Sequence, residues 1–156
     1  MILQSRRVIV FTGAGHSTES GISDFRSPGG IWNKFDPNEF TYQNFLRSEA
    51  SGEKSWELGK LAWSVMVSAR PNPGHYAIAE LHHMSKLDYV ITQNIDYLHQ
   101  KSGIPEEKVI ELHGTMNWVD CLDCGCRYTR KEIQVRLEEG EKVPKCADCN
   151  GMLKVA

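Results

Sequence analysis

The sequence lacks the features of a membrane-spanning, secreted or nucleic-acid-binding protein. None of its apolar runs exceeds a few residues, so no transmembrane span is expected within the 156 residues. Residues 1–7 lack the basic segment and long apolar stretch of a secretory signal. The 18 basic and 20 acidic side chains give a net charge of −2, which argues against nucleic acid or a membrane as partner. A cytoplasmic globular domain with a sizeable core is therefore expected.

Cysteine is missing from most of the chain, since all five cysteines lie between positions 121 and 149. Two CxxC pairs, Cys121 with Cys124 and Cys146 with Cys149, are 21 residues apart. This spacing predicts a structural zinc site with four thiolates and a reducing compartment, rather than a disulfide framework. Cys126 is the spare cysteine. It is an alternative to Cys124 as a ligand, but the CxxC spacing favours Cys124.

A third glycine is missing from the glycine-rich stretch after the first predicted strand. Gly13 and Gly15 follow the apolar run 8–11, but Thr18 stands where a dinucleotide-binding pattern has glycine. A strand-to-helix turn with bare backbone N–H groups suits a phosphate. A turn that serves only the fold would explain these glycines equally well. The acid, aromatic and guanidinium side chains at 24–26 favour a binding site.

Apolar periodicity and turn residues predict an α/β chain. Strands are expected at 7–12, 87–92 and 109–112, and helices near 17–27, over 53–68, after Pro73 and before Gly103. Each strand ends in a polar cluster, and the clusters are 13–17, 93–96 and His113. Parallel strands joined by helices end at one edge of a sheet, where ligands bind, so we expect these clusters to meet. An aspartate N-cap in a turn would also explain residues 93–96.

The middle of the chain carries aromatic and histidine residues with weaker signals. Trp32, in a loop at 31–40, is either a lid over a ligand or part of the core. His75, His82 and His83 are expected to be solvent-facing or structural.

Four motifs, in this order, resemble the sirtuin family: GAGHSTESGISDFR at 13–26, TQNIDYLH at 92–99, LHG at 112–114, and the two CxxC pairs. The resemblance implies an α/β fold with an incomplete Rossmann-like parallel sheet and a small inserted zinc-binding module. It implies NAD and zinc as cofactors and an acyl-lysine protein or peptide as substrate. The implied activity is NAD-dependent protein-lysine deacylation, which releases nicotinamide and an O-acyl-ADP-ribose. Protein ADP-ribosylation and a non-catalytic nucleotide-binding or zinc interaction module remain alternatives.

The resemblance also implies roles for individual residues. His113 corresponds to the general base, and Asn94 is a second catalytic candidate. The implied cofactor-binding residues are Gly13, Ala14, Gly15, Ser17, Asp24, Phe25, Arg26, Trp32, Gln93, Asn94, Ile95, Asp96 and His113. The implied zinc ligands are Cys121, Cys124, Cys146 and Cys149.

The sequence departs from the family pattern at several points. Ser23 stands where the family usually has proline, which we expect to loosen the cofactor loop slightly. Gly59 and Ala62 replace the tyrosine and arginine of members that prefer acidic acyl groups, so acetyl is expected. We expect a partial NAD-binding domain at 1–114 with a helical insertion around 31–85, a zinc module at 115–151 and the start of a returning strand at 152–156. The remaining Rossmann strands are missing, so low activity of the isolated chain is expected.

Overall fold

The computed structural model describes residues 2–24, 27–28, 33 and 35–156, apart from the side chains at 3, 39 and 40. The six strands are β1 (Val8–Thr12), β2 (Leu87–Thr92), β3 (Val109–Glu111), β4 (Trp118–Cys121), β5 (Arg127–Thr129) and β6 (Leu153–Val155). The five α-helices are α1 (Tyr42–Arg47), α2 (Glu49–Ser68), α3 (Pro73–His83), α4 (Leu98–Lys101) and α5 (Arg130–Glu138). Short 3-10 helices cover Ile2–Gln4, Ala14–Ser20, Pro37–Phe40 and Glu106–Lys108.

The first sheet is parallel and has the order β1-β2-β3. Its central residue Val90 pairs with Val10 on one side and Val109 on the other. One face of the sheet packs on Ile78 and Ala79 of α3 to form a core. The other face, which includes Ile9, Phe11, Tyr89 and Ile110, is largely exposed. We call β1–β3 with the 3-10 helix at 14–20, α3 and α4 the parallel unit.

The second sheet is antiparallel and has the order β5-β4-β6. Its core consists of buried apolar residues from β4, β6, α5 and α2, which include Val119, Leu153, Ile133, Leu137 and Trp56. Within the predicted returning segment 152–156, Leu153–Val155 form the strand β6, which pairs with β4 in this sheet. We call β4–β6 with α5 the cysteine unit.

Arg130 lies where α2 meets the cysteine unit. It is the first residue of α5, fully buried, and its guanidinium carbon lies 5.7 and 5.6 Å from the ring centroids of Trp56 and Trp63. All three guanidinium nitrogens lack a hydrogen-bond partner among the described residues. Burial lowers the pKa of Arg130 to about 10.

The predicted strands are confirmed, and β2 has the expected bounds. The helix predicted near 17–27 is wrong: a 3-10 helix covers Ala14–Ser20 and ends at Gly21, which has the left-handed φ of 85°. The helix predicted over 53–68 starts earlier, at Glu49, because Ser48 accepts a hydrogen bond from Ser51 N and caps it. Within the described ranges, none of the helices is long and apolar enough to span a membrane.

Candidate functional site

The carboxyl ends of β1, β2 and β3 lie side by side, as the sequence predicts. The backbone N–H of Gln93 donates to Thr12 O at 3.0 Å, and that of Leu112 donates to Thr92 O at 2.9 Å. The Thr12 hydroxyl donates to the Thr92 hydroxyl at 2.9 Å beneath this edge. The three polar clusters that follow the strands therefore share one edge of the sheet.

A buried polar network ties the glycine loop to the segment after β2. Ser17 Oγ donates to Asp96 Oδ2 at 2.6 Å. The Asn94 amide donates to Ser17 Oγ and to Gly13 O, both at 3.1 Å. Asp96 Oδ1 accepts from Leu98 N at 2.9 Å, so the same carboxylate supports the start of α4. Because its side chains bond one another, the network holds the loop at residues 13–17 in one arrangement.

His113 lies at the end of β3 and is exposed to solvent. Its Nδ1 lies 3.1 Å from Gln93 O, a carbonyl that can only accept. Nδ1–H therefore donates to this carbonyl, so the neutral form of the ring carries its lone pair on Nε2, the nitrogen that a general base would use. The backbone behind His113 is tightly packed, because a Cβ on Gly114, whose φ is 76°, would collide with the Ala156 carbonyl.

Asp24, another predicted cofactor residue, follows the 3-10 helix. Asp24 is half-buried and accepts from Ser27 N at 2.8 Å and from Ser27 Oγ at 2.5 Å. It borders an open cavity of about 310 Å³. The other residues that line this cavity are Thr18, Gly21, Ile22, Ser23, Ser27 and Pro28. Phe25, Arg26 and Trp32 lie outside the described residues.

The rest of the predicted cofactor residues lie at the same edge as the polar network. Gly13 and Ala14 are half-buried and Gly15 is exposed, and a Cβ added at Gly15 would meet no atom within 4 Å. Gln93 is exposed, whereas Ile95 is half-buried and accepts a hydrogen bond from Met116 N at 2.9 Å through its carbonyl. The edge therefore combines an open backbone loop with exposed polar side chains.

Three histidines that the sequence patterns do not connect also meet beneath this edge. The ring centroids of His16, His75 and His99 are 4.3 to 5.3 Å apart. Burial lowers the pKa of His75 to about 4 and that of His99 to about 3, and it also lowers the pKa of His16. We call these three residues the histidine cluster.

The sequence predictions for the histidines are partly confirmed by this arrangement. The sequence predicts His75 to be either solvent-facing or structural. It is structural, because it belongs to the capping box of α3. No spacing signal marks the cluster, since its members come from three separate elements.

The four predicted zinc ligands lie together at one end of the cysteine unit. Cys121 Sγ is 3.6 Å from Cys149 Sγ, and Cys124 Sγ is 3.6 Å from Cys146 Sγ. A tetrahedral zinc ion with Zn–S bonds of about 2.3 Å would separate its sulfurs by about 3.8 Å. All four thiols are free of disulfide bonds. The chemistry and spacing of this group, the cysteine cluster, therefore fit zinc.

Tyr128 supports the cysteine cluster from β5. Its hydroxyl lies 3.1 Å from Cys146 Sγ, and this hydrogen bond lowers the pKa of Cys146 to about 6. The Ala147 N–H donates to the same hydroxyl at 3.1 Å. The tyrosine thus orients one thiolate of the group.

Comparison with known proteins identifies the family. The model of the Sir2 family matches residues 13–156. This chain belongs to the Sir2 family. It is 44% identical over 154 residues to an NAD-dependent protein deacetylase of Caldivirga maquilingensis, and the match covers 99% of the chain and 58% of that relative. It is 43% identical over 150 residues to NAD-dependent protein deacylase 2 of Archaeoglobus fulgidus, with coverage of 96% and 56%.

Solved Sir2 structures share the fold. A Sir2 variant with a deacetylated p53 peptide and 3′-O-acetyl ADP-ribose superposes with a TM-score of 0.88 at 38% identity, over 99% of this chain and 60% of that one. A complex of Sir2 with a p53 peptide and NAD+ has a TM-score of 0.85 at 36% identity, with coverage of 99% and 59%. These likenesses confirm the predicted α/β fold with a Rossmann-like parallel sheet and a cysteine module suited to zinc. The chain spans about three fifths of the length of the curated relatives named above.

Proposed function

We propose that the protein is an NAD-dependent protein-lysine deacetylase. The observation that carries this proposal is the position of His113, whose Nδ1 is held by Gln93 O at the same sheet edge as the Ser17–Asn94–Asp96 network. The proposed deacylation needs a general base to remove a proton from a hydroxyl group, and histidine is a residue type suited to that role. Relatives named deacetylases and deacylases support this choice of reaction.

The residues at this edge suit NAD. We assign Gly13, Ala14 and Gly15 to the pyrophosphate, because the loop offers backbone without bulky side chains and Gly15 faces open space. When bound, NAD supplies the ribose carbon that accepts the acyl oxygen once nicotinamide has left. We further assign Ser17, Gln93, Asn94, Ile95 and Asp96 to the ribose and nicotinamide, as the sequence resemblance implies. Asp24, Phe25, Arg26 and Trp32 complete the proposed set.

His113 acts as the general base in this proposal. Its Nδ1–H donates to Gln93 O, which keeps Nε2 free to take a proton from a hydroxyl group. The exposed position of the ring lets a substrate reach it. Asn94, fixed by two hydrogen bonds through its amide nitrogen, contributes its oxygen as an acceptor that orients a reacting group.

The proposed substrate is an acetyl-lysine side chain in a protein or peptide. A neutral acyl group is favoured because Gly59 and Ala62 offer no cation to a distal carboxylate. Zinc in the cysteine cluster has a structural role, since four thiolates leave no open coordination position. The free thiols also favour a reducing compartment, and we propose the cytoplasm.

The decisive experiment uses acetyl-lysine peptide and labelled NAD. We expect nicotinamide release and label in free O-acetyl-ADP-ribose, and we expect the His113→Ala variant to lose at least 100-fold in rate. The matched control, His83→Ala, removes an exposed histidine of α3 and should keep the full rate. Label retained on protein would instead establish ADP-ribosylation. Because low activity of the isolated chain is expected, the assay uses a high protein concentration and a long incubation. Label in neither place under these conditions, with a folded and zinc-loaded chain, would contradict the proposed activity.

A further inference from the structure

The histidine cluster brings together side chains from three distant parts of the chain. His16 belongs to the 3-10 helix after β1, His75 to α3 and His99 to α4. One ring nitrogen from each histidine lies within 4.8 Å of the other two. His75 and His99 are 0% and 1% exposed, so the nitrogens face a closed interior.

Each histidine has one buried ring nitrogen without a partner. These atoms are His16 Nε2, His75 Nε2 and His99 Nδ1, and none has a hydrogen-bond partner in the described part of the chain. Buried polar atoms are bonded in almost all proteins, because leaving them unbonded is costly. Three such atoms in one cluster indicate a ligand that bonds nitrogen.

The ring nitrogen of His99 that points away from the cluster, Nε2, has a hydrogen-bond partner, as is usual for a metal-binding imidazole. This nitrogen lies 2.8 Å from Thr12 Oγ1, and Thr12 gives its own proton to Thr92. His99 Nε2–H must therefore donate to Thr12, which leaves the Nδ1 lone pair facing the cluster. A partner on the outer nitrogen that fixes the tautomer is typical of metal-ligating histidine.

Asp96 adds a favourable charge. The carboxylate acts electrostatically on His16 and His75 from nearby, and it is held in place by Ser17 Oγ. A cation among three neutral imidazoles would therefore have a fixed negative charge beside it. This arrangement favours a cation over an anion at the same position.

We propose that the histidine cluster is a second metal site, which binds a divalent ion of the imidazole-preferring class, Zn²⁺, Ni²⁺ or Cu²⁺. Imidazole nitrogens suit these ions, and three of them leave a position for water. The ion would tie the 3-10 helix at 14–20 to α3 and α4. The three proposed ligands lie outside the assigned NAD and cysteine sets, so a metal count tests this site separately from the proposed function. Asp96, which supplies the neighbouring charge, is shared with the NAD set.

His75 must change its tautomer before it can bind a metal ion. Its Nδ1 accepts from Asn72 N at 3.3 Å, so the ring proton lies on Nε2. Binding through Nε2 moves this proton to Nδ1 and breaks that long hydrogen bond. Asn72 Oδ1 still accepts from Gly74 N and His75 N, so α3 keeps its cap. The Asn72 amide therefore reports on occupancy of the site.

The experiment counts metal in the zinc-loaded chain after equilibration with Zn²⁺ and gel filtration. We expect two zinc ions per chain in the wild type and one in His16→Ala, with Ni²⁺ binding at least tenfold weaker in that variant. The control variant His82→Ala/His83→Ala removes the neighbouring histidines of α3, which have no role in the cluster, and should keep two ions. Unchanged circular dichroism would verify that His16→Ala folds.

Nuclear magnetic resonance distinguishes metal bound in the cluster from metal bound at surface histidines, because it observes the buried residues directly. We expect Ni²⁺ or Zn²⁺ to shift the Asn72 amide signal and the His99 ring nitrogens in the wild type but not in His16→Ala. A single zinc per wild-type chain would overturn the proposal. Loss of the second ion only in His82→Ala/His83→Ala would do the same, as would an unmoved Asn72 signal at saturation.

Discussion

The parallel unit and the cysteine unit each contain a three-stranded sheet, a core and a cluster of potential metal ligands, yet they are built differently. The parallel unit has one packed and one exposed sheet face, and its histidines come from positions 16, 75 and 99. The cysteine unit surrounds its core with α5 and α2, and its cysteines come from two short CxxC segments. The cysteine unit is small and carries four clustered free thiols, so we expect a metal to contribute more to its stability than to that of the parallel unit, which has an apolar core.

Loss of zinc should cause the largest difference between the two units, because it should unfold the cysteine unit and leave the parallel unit folded. Cys146→Ser removes one ligand from the cysteine cluster, and structural zinc contributes about 10–16 kcal/mol of binding free energy. That amount is comparable to the whole stability of a domain, about 5–15 kcal/mol. We expect the amide signals of β4–β6 to collapse while those of β1–β3 persist, measured by nuclear magnetic resonance together with zinc content.

Cys126→Ser is the matched control for the cysteine unit. Cys126 lies outside the group of four thiols, so this variant should keep its zinc and its dispersed spectrum. If Cys126→Ser loses zinc and Cys146→Ser keeps it, the ligand set proposed above is wrong.

Acid should weaken the parallel unit through its histidines. Burial lowers the pKa of His75 to about 4 and of His99 to about 3, so between pH 6.5 and these values the unfolded chain binds more protons than the folded one. Stability is therefore complete above pH 6.5 and falls as the pH falls. At pH 5 we expect a loss of about 2 kcal/mol for each histidine, since one pKa unit corresponds to about 1.4 kcal/mol.

The acid effect is measured by urea unfolding of the zinc-loaded chain without added metal. Protonation of the cysteine thiolates also contributes in acid, so the informative quantity is the difference between wild type and His75→Gln. The loss between pH 7 and pH 5 should be smaller in His75→Gln than in wild type and unchanged in His82→Gln. Equal losses in all three proteins would mean that His75 does not titrate on unfolding.

The cysteine unit could be predicted from the sequence in more detail than the histidine cluster. Cys121 and Cys124 lie in one short segment, so local geometry alone brings them together. His16, His75 and His99 meet only because the parallel order of β1 and β2 stacks a loop and two helices, and no local pattern encodes that order. The end of the 3-10 helix at 14–20 could not be predicted either. The helix ends at Gly21 in the αL conformation, and the sequence does not show which of its glycines adopts that conformation.

The two faces of the parallel sheet should respond differently to the same change. Val90 is 0% exposed and belongs to an apolar core, so Val90→Thr buries a hydroxyl among apolar side chains and should cost about 1–3 kcal/mol. Ile9 is 60% exposed, so Ile9→Thr should change the free energy of unfolding by less than about 0.5 kcal/mol. Both variants keep a β-branched side chain, so strand propensity is matched. Urea unfolding measures both, and equal costs would mean that the face around Ile9 is covered in solution.

The smallest effect expected at a buried residue concerns Arg130, where α2 packs on the cysteine unit. Arg130→Met keeps an unbranched chain between Trp56 and Trp63 and removes a buried charge whose three nitrogens have no hydrogen-bond partner among the described residues. Replacing a buried charge with a hydrophobic residue is often stabilising, although two cation–π contacts are lost. We expect a net gain of about 1 kcal/mol in the free energy of unfolding.

Arg136→Met, in the same helix, is the matched control for Arg130→Met. Arg136 donates to Glu141 at 2.7 and 2.8 Å and to Lys145 O at 2.7 Å, so its loss should destabilise the chain by about 1–2 kcal/mol. Chemical denaturation of the two zinc-loaded variants compares them directly. If Arg130→Met is destabilised as much as Arg136→Met, the contacts with the two tryptophans outweigh the desolvation of the guanidinium, and the charge itself holds α2 against the cysteine unit.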